Sequence, residues 1–559
     1  MIVASRSLAW GASLVPGAGI RLSSTLGDTS VTNSILLLLA LLLAATGLAI
    51  VARRIGIPYP ALLVLGGLLI GVVIGQFPQV PTVELAPDVV FLLFLPPILF
   101  AAGYFTSIRD LRRNLRAILL LAVGLVLFTT VVVGAVTKAL VPDMTWAVAL
   151  TLGAIVSPPD AVAATAVFQR LGVPRRIVTI LEGESLVNDA TALVVYRFAA
   201  LAAVPAAVSF SVVDVGSTFV LAVVGGLAIG LLFGLITTWF VRRVNDPVFA
   251  IVITFLAPLL SYLPATVLGL SGVLATVAAG VYVGQKAPRH MSSEMRLSGV
   301  AAWQVLLFLI NGSVFILIGV QLPTVLEGLS AYSPGSLLAL AIVVSATTIL
   351  ARIVWVFPAT YIPRKLSATI REREPSPPIR HVALVSWAGM RGVVSLAAAL
   401  ALPIDFPDRN LVIFLTFAVI LATLVGQGLT LPFIVSRLGI ENRGGLEGQE
   451  EAYARLVASQ SAIVRLDELA VDVPDHLELI QNLRSQYQHR TQHELQRKHD
   501  GEHDEEGERE LIEHRRIRME VLTAEREALL TLRERGAISE EVHRVVERDL
   551  DLEELRMEV

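Results

Sequence analysis

Cysteine is absent from the 559 residues. That removes disulfides, thiol nucleophiles, iron–sulfur clusters and Cys-based zinc sites together. Charge is scarce as well: Asp, Glu, Lys and Arg make up 16% of the chain, against about 25% in soluble domains. The shortage is concentrated in residues 34–435, and mean hydropathy is +0.71. No alternating ten-residue segments of the kind that build a membrane β-barrel are present. The apolar part also holds no phosphate-binding loop, no nucleophile–base pair and no metal-ligand cluster, so the residues do not read as an enzyme. No cofactor and no nucleic-acid partner is expected. The net charge of −3 averages two unlike halves and says nothing about partners.

What is present is a series of about thirteen apolar stretches. They centre near residues 43, 68, 96, 127, 157, 190, 227, 256, 276, 311, 346, 391 and 421. A bilayer core of about 30 Å takes about 20 helical residues, and only helices satisfy every backbone group within one segment. The fold class expected is therefore an all-α polytopic membrane protein. Basic residues fix its orientation. One set of loops carries Arg53 and Arg54, then Arg109, Arg112 and Arg113, then Lys286 and Arg289, then Arg364 and Lys365; the alternate loops carry Glu84, Asp88, Asp143, Asp214, Asp405 and Asp408. This places a multi-pass protein in the cell (inner) membrane, N-terminus outside and C-terminal tail in the cytoplasm. Three regions are expected: an extracytoplasmic leader at 1–33, a transmembrane domain at 34–435 and a helical cytoplasmic tail at 441–559. The first 30 residues also read as a signal peptide or a flexible leader.

The tail is charged and helix-favouring. Ile517, Val521, Leu522, Leu529 and Leu532 recur at helical spacing, and Pro474 and Gly501 are expected to divide it. Seven of the nine histidines lie here, including His489, His493 and His499. A solvated helical module that packs on itself or on a second subunit is the better reading than a metal site.

Residues 181–195, LEGESLVNDATALVV, place Glu182, Glu184, Asn188 and Asp189 inside the sixth span. A charge at mid-bilayer costs about 2.5 kcal/mol or more. On a helix Glu182, Ser185 and Asp189 share one stripe, and Glu184 and Asn188 a neighbouring one. The first resembles an acidic approach to one deep carboxylate; the bland alternative is a set of satisfied pairs that fasten helices together. The fifth span contains SPPD, residues 157–160. Pro158 and Pro159 each remove a backbone donor, and Asp160 comes directly after them. The twelfth span contains WAGMRG, residues 387–392, with Arg391 between two glycines. Interrupted helices at membrane depth expose carbonyls and helix ends that suit ions. Two of them seven spans apart run in opposite directions, as an inverted repeat of six plus six spans around a linking span requires. Arg391 is expected to offset the helix ends and carboxylates where they meet. Arg352 in the eleventh span lies at the depth of Glu184 and is opposite in sign, which predicts an ion pair.

At these residues the chain resembles cation–proton antiporter family 1, the NhaP-type bacterial sodium/proton antiporters. The resemblance rests on FLLFLPPILFAAGY (91–104), GAIVSPPDAVAATAVF (153–168), LEGESLVNDA (181–190), SGVLATVAAGVYVG (271–284), LIGVQLP (317–323) and WAGMRGVVSLA (387–397). It implies an inverted-repeat fold with two crossed broken helices and a homodimeric exchanger. Asp189 would bind cation or proton, with Asp160, Ser185, Asn188 and Glu184 near it and Arg391 and Arg352 as structural charges. It further implies exchange of sodium, with lithium or potassium as further candidates, for protons, electroneutral because Asn188 is neutral, and serving pH and cation homeostasis. No metal is expected beyond the transported alkali cation. The alternatives are a potassium-selective proton antiporter or a passive cation channel. Two positions depart from the pattern: Ala101 stands where relatives often have an acid, and Ala161 where a proline commonly comes after the aspartate.

Overall fold

The computed structural model describes residues 29–76, 90–203, 212–329, 332–440, 445–499, 505–535 and 537–558. The leader before residue 29, Glu84, Asp88 and Gly501 lie outside the described residues, as do the side chains of Asp214, His489, His493 and His499. Every regular element among the described residues is a helix, with no strand among them, and the chain falls into two compact units that divide at residues 441 and 442.

Every apolar stretch read from the sequence falls on a helix or on a pair of helices. In the first unit these are α1 (Thr29–Ile55), α2 (Tyr59–Ile74), α3 (Leu95–Phe105), α4 (Leu115–Leu140), α5 (Trp146–Val156), α6 (Ala161–Leu171) and α7 (Arg175–Ala203). They continue with α8 (Val212–Val241), α9 (Pro247–Val267), α10 (Gly272–Lys286), α11 (Ser293–Glu327), α12 (Pro334–Leu366), α13 (Ile379–Trp387), α14 (Val393–Leu400) and α15 (Arg409–Arg437). Seven of these are long and apolar enough to cross a bilayer unaided, whereas α2, α3 and α5 are shorter. Large apolar side chains stand exposed along them, such as Leu43 at 74% and Leu69 at 69%. Acyl chains are the solvent that suits such a surface.

Backbones approach closely wherever glycine removes a side chain. A Cβ on Gly67 of α2 would overlap the Ile316 carbonyl of α11, and one on Gly319 the Val64 carbonyl of α2. Small residues at such seams replace the hydrophobic drive that lipid cannot supply between helices.

Two spans are broken rather than continuous. The fifth is split into α5 and α6 by residues 157–160, and the twelfth into α13 and α14 by residues 388–392. Proline alone does not break a helix here, because α9 runs unbroken through Pro258 and Pro264. In the fifth span two adjacent prolines precede Asp160, whose side chain accepts from the Val162 N–H and so caps a new helix.

The second unit comprises α16 (Gly445–Asp472), α17 (Leu477–His499), α18 (Glu505–Glu534) and α19 (Glu540–Glu558). The chain turns at Pro474–His476, and Arg484 bridges to Asp467 at 3.0 Å across the α16–α17 pair. Arg526 of α18 holds Asp551 and Glu554 of α19, each at 2.5 Å. Of the apolar stripe expected on α18, Leu522 and Leu529 are buried, whereas Ile517, Val521 and Leu532 are exposed.

Overfilling a packed seam costs about 1–3 kcal/mol. Gly319→Val is therefore expected to lower thermal stability in detergent, whereas Gly335→Ala, with nothing within 4 Å of its Cβ position, leaves the melting midpoint in place.

Candidate functional site

The two interruptions meet. The Asp160 N–H donates to the Met390 carbonyl at 2.7 Å, and a Cβ on Gly392 would overlap the Asp160 carboxylate. That carboxylate takes the Val162 N–H at the start of α6 at 2.8 Å. It also lies against Gly392, the residue that precedes α14. One negative charge therefore serves the N-terminal ends of two half-helices, where unpaired donors and the helix dipole favour an anion.

Arg391 does the converse. Its Nε donates to the Val156 carbonyl at 2.9 Å and its Nη2 to the Ser157 carbonyl at 3.3 Å, while Nη1 donates to the Gly389 carbonyl. These carbonyls close α5 and lie just past α13, at the C-terminal ends of the other two half-helices. The expectation that Arg391 offsets helix ends describes this geometry. Its side-chain hydrogen bonds among the described residues go to carbonyls rather than carboxylates, and the Glu184 carboxylate lies within its electrostatic reach. Its own N–H donates to Thr423 Oγ1 at 3.0 Å. Thr423 sits in a π-helical turn of α15, Ala422–Gln427, a feature that often marks functional positions.

The two stripes of α7 behave differently. Glu184 and Asn188 are packed inside, at 1% and 0% exposure. Glu184 accepts both ends of the Arg352 guanidinium, Nη1 to Oε1 at 2.5 Å and Nη2 to Oε2 at 2.8 Å. The Arg352 Nε also donates to the Val385 carbonyl of α13 at 3.2 Å, so this one fork ties α7, α12 and α13. Asn188 donates from Nδ2 to the Pro159 carbonyl at 2.9 Å. Its Oδ1 is buried with no hydrogen-bond partner among the described residues. Along the other stripe Glu182 and Ser185 are partly exposed and Asp189 is 7% exposed. Ser185 Oγ accepts from the Ala161 N–H at 3.5 Å. Asp189 lies within electrostatic reach of Asp160, and no hydrogen bond to its carboxylate is found among the described residues.

The structure thus draws Asp160, Ser185, Asn188, Asp189 and Arg391 to one crossing and places the Glu184–Arg352 pair beside it. Sequence reading passed over Thr423, and also Ser395 and Gln427, whose buried polar atoms lack partners among the described residues. Their signal was a polar residue within an apolar run, weaker than a charge. At the two departures, Ala101 is buried in α3, and Ala161 is the first residue of α6, its N–H donating to Ser185 Oγ at 3.5 Å.

Residues 38–437 match the model of the transmembrane sodium/hydrogen exchanger family. The chain belongs to that family. The match covers the whole crossing and its partners, and it makes the protein a membrane transporter. A relative described as an uncharacterized sodium/proton exchanger of Mycobacterium tuberculosis (strain ATCC 25618 / H37Rv) is 34% identical, over 95% of this chain and 98% of that one. The sodium, potassium, lithium and rubidium/proton antiporter of Bacillus subtilis is 33% identical, over 86% of this chain and 72% of its own. Among solved structures, the sodium proton antiporter MjNhaP1 of Methanocaldococcus jannaschii superposes with a TM-score of 0.58 at 21% identity, over 73% of this exchanger and 99% of that chain. That likeness is one of fold.

A buried ion pair that loses one member leaves an uncompensated charge, at a cost of about 3–5 kcal/mol. Glu184→Gln and Arg352→Gln should each lower the thermal midpoint of the purified protein strongly, and the double variant should recover much of the loss. Strictly additive losses would show that the two groups are not coupled.

Proposed function

We propose that this exchanger moves a monovalent alkali cation in one direction and protons in the other, with both competing for Asp189. The observation that carries the reading is the state of that carboxylate. It is nearly buried, free of hydrogen bonds among the described residues, and set on the partly open stripe of α7 against the crossing. The charges of the crossing and beside it are already engaged: Asp160 with the Val162 N–H, Arg391 with carbonyls, Glu184 with Arg352. Asp189 is the charge left over, and a buried charge needs a counterion or a proton. It cannot favourably hold both, so competition couples the fluxes.

In this reading Ser185 and the Asn188 Oδ1 supply neutral oxygens, which suit a hard alkali cation, and Asp160 adds negative potential from the crossing. Glu184, Arg352 and Arg391 hold the scaffold. The alkali cations in the Bacillus subtilis relative's name support a site of this class, with sodium as the first candidate and potassium as the alternative. The neutral Asn188 supports a one-for-one exchange of charge. The proposal includes thirteen crossings in an inverted repeat, with the fourth to sixth and eleventh to thirteenth spans moving against a dimerisation domain. It also includes a homodimer, an inner-membrane location with the N-terminus outside and the tail in the cytoplasm, and a role in pH and cation homeostasis. The carboxylate without cargo would cross poorly, since moving an unpaired charge through low dielectric is costly, and that suppresses leak. A passive channel would conduct without this coupling.

Two measurements in proteoliposomes with an internal pH dye test the reading. Asp189→Asn should reduce sodium-driven proton flux to the empty-liposome rate while leaving the melting profile intact; exchange at the wild-type rate would reject Asp189 as the shared site. For the native protein, an imposed membrane potential should leave the exchange rate unchanged. A flux that tracks the potential would mean unequal charges are exchanged.

A further inference from the structure

The close packing of α3 against α10 brings the segments beyond their C-terminal ends together. A Cβ on Gly103 would meet the Val277 carbonyl at 2.7 Å, and Cβ atoms on Gly280 and Gly284 would overlap the Phe100 and Tyr104 carbonyls. The two helices therefore end side by side. After α3 comes the short helical turn Ile108–Arg113, capped by Ser107. After α10 comes the turn Ala287–His290. Together they enclose a depression of about 500 Å³ lined by Ile108, Arg109, Arg112, Gln285, Lys286 and Arg289.

Four of those six side chains are cationic and none is acidic. The nearby acid on the same turn, Asp110, faces Arg175 at 3.6 Å, and Arg116 is taken by Glu374 at 2.7 Å. Among the described residues no ion pair involves Arg109, Arg112, Lys286 or Arg289. Like charges gathered around one hollow repel, and backbone packing holds them there. An excess of Lys and Arg on one side of a membrane needs only a count of residues. It does not need them to converge on a concave site emptied of carboxylates.

An apolar groove adjoins this bowl. About 490 Å³ in volume, it is lined by Leu235, Ile236, Trp239 and Phe240 of α8 and by Tyr282 of α10, with Arg242 at its end. Tyr282 and Lys286 are four residues apart on α10 and so share a face, which makes groove and bowl neighbours on that face. The Arg243 guanidinium lies 3.7 Å from the centre of the Trp239 ring. Trp and Tyr beside Arg mark the level of the lipid headgroups.

We propose that bowl and groove form one binding site for an anionic phospholipid. Arg109, Arg112, Lys286 and Arg289 take the phosphate headgroup, and an acyl chain lies along Trp239 and Tyr282. A free phosphate would use the bowl and ignore the groove; the junction of the two is what points to a lipid. The site is separate from the helix crossing and does not depend on the ion that crosses there.

Native mass spectrometry of the full chain released from detergent, titrated with phosphatidylglycerol or phosphatidylcholine, tests this. The native protein should retain phosphatidylglycerol preferentially. A basic residue near a membrane surface contributes about 1 kcal/mol, or roughly fivefold in affinity. Lys286→Gln with Arg289→Gln should therefore weaken phosphatidylglycerol retention by tenfold or more and leave phosphatidylcholine retention unchanged. Arg109→Lys with Arg112→Lys, which keeps the charge, should retain the lipid. Equal retention of the two lipids by the native protein, or phosphatidylglycerol retention unaffected by the Lys286/Arg289 pair, would overturn the proposal. Glycerol phosphate binding as tightly as phosphatidylglycerol would overturn the lipid assignment in favour of a soluble anion.

Discussion

The arrangement depends on one constraint: four helix ends meet inside an apolar domain, and each needs a partner there. A helix end carries about half a charge together with unpaired donors or acceptors. Left bare, four such ends would cost far more than a domain's net stability. The chain answers with two residues of opposite sign. Asp160 takes the Val162 N–H that opens α6 and lies against Gly392 at the start of α14, and Arg391 takes the carbonyls at the end of α5 and beyond α13. The glycines flanking Arg391 make the exchange geometrically possible. A side chain at Gly392 would occupy the Asp160 carboxylate, and one at Gly389 would collide with both Arg352 and Arg391.

With the helix ends held by Asp160 and Arg391, α7 divides its polar residues between two tasks. Glu184 and Asn188 face inward and fasten α7 to α12 and to the fifth-span break. Glu182, Ser185 and Asp189 occupy the more open stripe. The structural charges all have partners, so the unpartnered Asp189 is conspicuous in a way that a count of acidic residues could not make it. In the proposed mechanism this division lets one carboxylate change its occupant without disturbing the ion pair one turn away.

Much of this was legible in the sequence, for reasons that differ by residue. Charges in an apolar run are costly enough to announce themselves, which is why Asp160, Glu184, Asp189, Arg352 and Arg391 stood out. Two prolines before an aspartate predict a break because they remove donors and the aspartate then caps the next helix. The partners of Arg391 were not legible, because they are backbone carbonyls and every residue has one; only folding decides which are freed. Thr423 was hidden for a related reason. A threonine in a membrane helix ordinarily bonds its own i−4 carbonyl, and this one does so to Val419 while also accepting from Arg391. In α18 the apolar period was visible, but which of its residues turn inward depends on the packing with α19: the buried Leu522 and Leu529 lie on the same face as Arg526, which reaches α19.

Two kinds of contact hold the first unit together, and they respond differently to displacement. At the α2–α11 and α3–α10 seams backbone lies directly on backbone, and no Cβ fits between. Such surfaces have little room to slide without losing contact. The crossing is held instead by side chains reaching to backbone groups: Arg391 to three carbonyls, Asn188 to Pro159, Arg352 to Val385. With the Asp160 bond to Val162 and the Arg391 N–H bond to Thr423, these run among α5, α6, α7, α12, α13 and α15, and any of them broken in the bilayer core would leave a bare polar group. A motion that opened the site would therefore be cheapest if those helices moved as one body, carrying Asp189 with them. In the proposed exchanger, the bonds that make the crossing affordable are thus also the reason it would travel intact.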